Sequence, residues 1–129
     1  MKKIAILFTF FLVACGGNES ISTEEFDYPA WKNDKNGCSG TRLELWENLK
    51  SVKERLIGLS EVEVLKVLGT PDNRDLYNRN QKAVIYYLEP APSCESFDEN
   101  TPPRVVRVLF NALNQAKEIT IVVDDYEHQ

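Results

Sequence analysis

Histidine is nearly missing from this chain. His128, the last residue but one, is the only histidine among 129 residues. Nucleophilic catalysis of the Ser-His-Asp or Cys-His kind needs a base beside the nucleophile and a third group to orient it. One histidine in a terminal tail does not supply that base. Cysteine is scarce as well, at positions 15, 38 and 94, with no CxxC pair. A zinc site takes four ligands, or three and a water, and no such set is present. Asp34 and Asn36 have the opening spacing of a calcium loop, but its twelfth position is Leu45, where a bidentate glutamate is required. No metal and no other cofactor is expected. Glycine-rich phosphate loops are absent, since the glycines bounding "GLSEVEVLKVLG" read as a loop residue and a helix end. Carboxylates do cluster at Glu95, Asp98 and Glu99, with only Phe97 nearby to raise a pKa. A solvated acidic loop is the plainer reading, and the chain is not expected to be an enzyme.

Positive charge is also in short supply. Fifteen Lys and Arg face twenty Asp and Glu, a formal charge of −5. Nucleic acid binding needs basic patches, so it is not expected. Long apolar runs are lacking too. Ile4 to Val13 is the longest, ten residues with only Thr9 polar, where a membrane span needs about 20. That length suits the h-region of an export signal, and Met1-Lys2-Lys3 suits its positive n-region. The run ends Leu12-Val13-Ala14-Cys15, which resembles the lipobox of bacterial lipoproteins. The resemblance implies cleavage before Cys15 and acylation of its thiol, with lipid as the membrane anchor. An ordinary signal peptide with a chance cysteine, or a cytosolic chain with an apolar start, are the alternatives. Gly16 stands where an aspartate retains some lipoproteins at the inner membrane, which leans toward the outer membrane.

Residues 1–14 are then a signal, residues 15–27 a flexible lipidated tether, and residues 28–126 one domain. Without Lys2 and Lys3 the chain has 13 basic against 20 acidic residues, a formal −7. That balance argues against adhesion to anionic lipid beyond the anchor, and a basic patch on a protein partner would suit it better. If lipid consumes Cys15, Cys38 and Cys94 remain, and outside the cytoplasm they should pair. The closed loop of about 57 residues contributes on the order of 4 kcal/mol in the chain-entropy model.

The first helix is expected at about Thr41 to Leu56. Leu45, Leu49, Val52 and Leu56 make one apolar stripe with Trp46 beside it, and Thr41 with Glu44 reads as a capping box. Gly58 breaks the run. Ser60 with Glu63 forms a second capping box, and Leu59 with Val64 a hydrophobic staple. The short second helix should end at Gly69, with Pro71 preventing continuation. Strands follow at Asp75–Asn78, Ala83–Leu88, Arg104–Asn111 and Glu118–Val123, with turns at Arg79-Asn80-Gln81 and Leu113–Ala116. The long connection "EPAPSCESFDENTPP" has four prolines and should stay irregular. The fold class is α+β: two helices packed on one face of a four-stranded antiparallel meander.

The segment Leu56 to Leu88 resembles the core of the SmpA/OmlA family, which includes the BamE lipoproteins, and the related modules of β-lactamase-inhibitor-protein type. The shared pattern is carried by Gly58, Ser60, Val62, Leu68-Gly69-Thr70-Pro71 and Tyr86-Tyr87. It implies the same fold and a non-enzymatic envelope lipoprotein that docks on a larger protein complex. The inhibitor-type relatives imply an alternative, a binding or inhibitor module for a secreted enzyme. The Pro-rich loop, the Cys38–Cys94 pair and "WKNDKNGC" lie outside the usual BamE pattern. Candidate partner-binding residues are Trp31, Tyr77 and Phe97, since aromatics dominate binding hot spots. Trp31 has a second reading, as packing beneath the disulfide. Tyr86 and Tyr87 face opposite sides of their strand, so one belongs to the core and the other is open to exposure. Arg42, Arg104 and Arg107 are candidates to pair with acids of the long loop.

Overall fold

The computed structural model describes residues 21–77 and 81–124. The signal segment 1–14, Cys15, the expected turn at Arg79 and Asn80, and the tail beyond Asp124 lie outside the described residues. Helices come first and strands follow, so the class is α+β. Helix α1 spans Tyr28–Asn33, a 3-10 turn spans Lys35–Gly37, α2 spans Thr41–Leu56 and α3 spans Glu61–Leu68. Strands β1 (Asn73–Tyr77), β2 (Gln81–Tyr87), β3 (Arg104–Phe110) and β4 (Ala116–Val123) form one sheet in the order β1-β2-β3-β4, every pair antiparallel.

Helix α1 is one element more than the sequence suggests. Six residues are too few to show a periodicity. Its local chemistry is nonetheless legible: the Asp27 carboxylate accepts from the Ala30 N–H at 3.1 Å, and Pro29 sits in the first turn. Helix α3 follows its signals closely. The Ser60 hydroxyl accepts from the Glu63 N–H, and the Glu63 carboxylate accepts from the Ser60 N–H at 3.0 Å. Gly69 ends the helix at φ +79°, a conformation other residues rarely adopt.

The N-terminus of α2 corrects one expectation. Thr41 and Glu44 form no capping box. The N-cap residue is Gly40, in the left-handed region at φ +76°, with no side chain to offer. The free N–H of Arg42 is satisfied instead from outside the helix, by a carboxylate oxygen of Asp34 at 3.0 Å. The other oxygen of Asp34 accepts from the Ser39 N–H at 2.8 Å. A buried acid thus caps the helix at its positive end.

Strand alternation divides the sheet into two faces. Val84, Tyr86, Val106, Val108 and Ile119 turn toward the helices. They pack with Phe26, Trp31, Leu49, Val52, Leu56, Val64 and Leu68 into the main core. Phe26 is fully buried there, so the folded part takes in the end of the stretch 15–27 read as a tether. Ile85, Tyr87 and Val105 turn the other way and form a second cluster with Ala91 and Cys94. The long loop supplies those last two residues and covers this face at one end. Tyr86 and Tyr87 are accordingly both buried, and neither is the exposed member of the pair.

The link between α2 and α3 is fastened to the start of β4. The Gly58 N–H donates to Ala116 O and the Ala116 N–H to Leu59 O, each at 2.8 Å, and Ser60 bridges Gln115. The domain therefore has two poles. One holds the two hairpin ends and this link. The other holds the start of α2, the 3-10 turn and the long loop.

Candidate functional site: a stapled loop over a buried arginine

Cys38 and Cys94 are joined, with Cα atoms 5.4 Å apart. The disulfide fastens loop 89–103 to the segment between the 3-10 turn and α2. Backbone contacts reinforce it: the Ala91 N–H donates to Asn36 O at 2.9 Å, and the Cys94 N–H donates to Ala91 O at 2.9 Å. Close approach of the two segments depends on Gly37. A Cβ there would lie 2.7 Å from Glu89 O and 2.8 Å from Tyr87 O, and its φ is +66°. No other residue type fits that contact without displacing a strand.

Beneath this junction sits Arg42, almost wholly buried. Its Nε donates to Trp31 O at 2.9 Å, and its Nη1 donates to the Asp72 carboxylate and to Tyr87 O. The guanidinium carbon lies 5.3 Å from the Trp31 ring centre and 5.5 Å from that of Tyr86. Asp72 is equally engaged. Its carboxylate accepts from the Asn36 N–H at 3.1 Å and from the Tyr87 N–H at 2.8 Å. Asp72 and Arg42 continue the ladder beyond β1: where that strand has ended, they occupy the polar edge of β2. A buried pair satisfied on all these sides joins α1, the 3-10 turn, α2 and the sheet at one point. Arg42 pairs with Asp72 and not with the long loop. Burial pushes the Tyr86 phenol well above its ordinary range, and its hydroxyl donates to Gly69 O at 2.8 Å.

Arg104 does pair with the loop, through its first residue, Glu89, at 2.7 Å. This contact holds the Glu89 carboxyl below the usual range. The cluster Glu95, Asp98 and Glu99 is exposed. Asp98 closes a local turn, accepting from the Asn100 N–H at 2.9 Å and from the Thr101 hydroxyl at 3.0 Å, and the Asn100 N–H keeps its carboxyl low. Arg107 lies on the face opposite the helices with Val105 and Leu109.

The three aromatic candidates do not converge. Trp31 is fully buried between Phe26, Tyr86 and Arg42. It offers no surface to a partner, which corrects its candidacy. Its indole N–H has no hydrogen-bond partner among the described residues. Phe97 is half-buried, with its N–H donating to Cys94 O at 3.2 Å. Tyr77 ends β1 near the opposite pole, and its side chain lies outside the described residues. Of the motif residues, Gly58, Ser60, Gly69 and Pro71 shape the ends of α2 and α3, while Val62 is 64% exposed.

No family model, curated protein or solved structure matches this chain.

An open depression near the start of α2 is lined by Ala30, Asn33, Asp34, Ser39 and Thr41. Its carboxylate, Asp34, is already engaged by two backbone N–H groups. Among the described residues no group of three or more His, Cys, Asp or Glu is arranged to hold a metal ion, and no helix is long and apolar enough to cross a membrane. What the arrangement can do is hold an acidic loop in a fixed conformation on a rigid support.

Sequence reasoning missed Arg42 as the hub of this support. A signal for it exists. Arg42 extends the stripe Leu45, Leu49, Val52, Leu56 by one step of three, so it lies on the buried face of α2. A charge on a core stripe needs an opposite charge, and Asp72 provides it.

Proposed function

We propose that this chain is a non-enzymatic envelope lipoprotein, anchored through Cys15, that docks on a larger envelope protein complex, as the SmpA/OmlA resemblance implies. The observation that carries the reading is Leu12-Val13-Ala14-Cys15 directly after an apolar run too short to span a bilayer. Two features support it. The helices precede an antiparallel meander, and the motif around α3 serves capping and chain reversal. The buried charged side chains, Asp34 and Arg42, are engaged in holding the domain together. The docking surface in this reading is loop 89–103, with Glu95 and Glu99 displayed on it. Gly16 favours the outer membrane.

The alternative, an inhibitor or binding module for a secreted enzyme, is favoured by the disulfide that holds the acidic loop in place. One experiment separates the two. A photoreactive residue replaces exposed Glu95 in the native host, and the crosslinked protein is identified. Capture of an envelope assembly component is the expected result. Capture of a soluble basic hydrolase would favour the inhibitor. No capture at Glu95, with capture from the far pole at Leu113, would overturn the loop as docking surface.

A further inference from the structure

Large apolar side chains are exposed at Ile57 (37%), Val62 (64%), Leu76 (84%), Leu113 (79%) and Val123 (58%). Four of the five belong to one pole. Leu113 is in the β3–β4 turn, where the Asn111 carboxamide oxygen accepts from the N–H groups of Leu113 and Gln115. Ile57 and Val62 flank the link that pairs with Gln115 and Ala116. Leu76 pairs with Lys82 near the other hairpin end. Only Val123 lies at the opposite pole, across from Arg104.

The N-terminal segment comes in at the same pole. Ser22 to Glu25 forms a turn, and the Glu25 carboxylate meets Arg55 of the last turn of α2 at 3.0 Å. Ile21 packs against the main core just before it. Six residue steps separate Cys15 from Ile21, a reach of about 20 Å at full extension. A domain of some 100 residues measures roughly 35 Å across, from a radius of gyration of about 13 Å. A lipid on Cys15 therefore holds this pole, and not the loop pole, within reach of the bilayer.

We propose that the hairpin pole rests on the lipid surface, with Leu113, Leu76 and Val62 entering the interfacial layer. The inference rests on the lipid-anchor reading. At this pole Glu61 pairs with Arg74 and Lys82, and Glu25 with Arg55, while Asp75 and Glu118 are exposed on the strands beside it. The contact is therefore carried by the apolar side chains and not by charge. Resting on this pole turns loop 89–103 away from the membrane.

The test is depth-dependent quenching in vesicles. Leu113→Trp, expressed from the full chain and purified with its lipid, is reconstituted into phosphatidylcholine–phosphatidylglycerol vesicles with or without brominated acyl chains. Leu76→Trp serves as a second reporter, Glu95→Trp as the loop-pole control, and wild-type emission from Trp31 and Trp46 is subtracted. The mass of the same preparation reports acylation. The expected result is at least twofold quenching at Leu113→Trp and Leu76→Trp, with Glu95→Trp unquenched. An acylated protein whose two hairpin reporters are unquenched overturns this inference alone. Shielding of those reporters from aqueous iodide without bromolipid quenching also overturns it, since a protein then covers the pole. A preparation without acyl chains removes the anchoring reading, and this inference falls with it.

Discussion

Replacing Arg42 by methionine keeps most of the side-chain volume and removes the charge. Asp72 is then left as a carboxylate with about 4% of its side chain exposed. Breaking a buried pair by deleting one partner costs about 3–5 kcal/mol. Two hydrogen bonds, to Trp31 O and Tyr87 O, go with it, each worth about 1 kcal/mol net. Cation–π contact with Trp31 and Tyr86 is lost as well. These terms overlap, and Asp72 keeps its bonds from the Asn36 and Tyr87 N–H groups. The expected loss is about 4–5 kcal/mol. That is a large share of the 5–15 kcal/mol typical of a domain. Urea unfolding, followed by circular dichroism with the disulfide intact, should show a midpoint lowered by roughly 3 M for a slope of about 1.5 kcal/mol/M. Arg42→Lys should fall between, since it keeps the charge but not the fork. A loss below about 1 kcal/mol in Arg42→Met would mean that the Arg42–Asp72 pair behaves as an exposed one and does not hold the domain together.

Opening the disulfide by Cys38→Ser should cost on the order of 4 kcal/mol, read as a lower thermal midpoint, and make loop 89–103 cleavable by protease; an unchanged midpoint would contradict the stapling role. Ser60→Ala should cost about 1 kcal/mol through its capping box, while Thr41→Ala stays within about 0.5 kcal/mol because Asp34 caps that helix; equal losses in urea titrations would show Thr41 capping after all. Arg74 holds the Glu61 carboxyl below its usual range, and Arg104 does the same for Glu89. A lowered folded pKa contributes stability in full above the unfolded value of about 4.3, and it is lost as pH falls through the folded value. The urea midpoint should therefore drop on acidification from about pH 5 to about pH 3, less steeply in Glu61→Gln; equal slopes would contradict it.

Local signals were readable wherever a side chain acts on its own neighbours. Ser60 and Glu63, Leu59 and Val64, and Gly69 before Pro71 define α3 to the residue. The alternation of β3, with Val106, Val108 and Phe110 on one face and Val105 on the other, is written in the sequence and matches the two clusters. Failures came where distant groups substitute for local ones. Thr41 and Glu44 match a capping box, but Asp34 reaches the helix end first, so the local box does not form. Trp31 carried two readings, partner contact and packing beneath the disulfide, and α1 is too short for its periodicity to choose the buried one. Tyr87 is buried because loop 89–103 folds back over it, and no periodicity encodes that return. The pairing of Arg42 with Asp72, 30 residues apart, is a tertiary choice among several acids.

The proposed function requires lipid on Cys15 and a domain behind it that acts by contact. The most direct measurement is mass spectrometry of the N-terminal peptide from the protein isolated from its native envelope. A chain that begins at Cys15, with diacylglycerol on its sulfur and Cys38 linked to Cys94, is the expected result. A chain retaining Met1, or one with an unmodified Cys15, would contradict it.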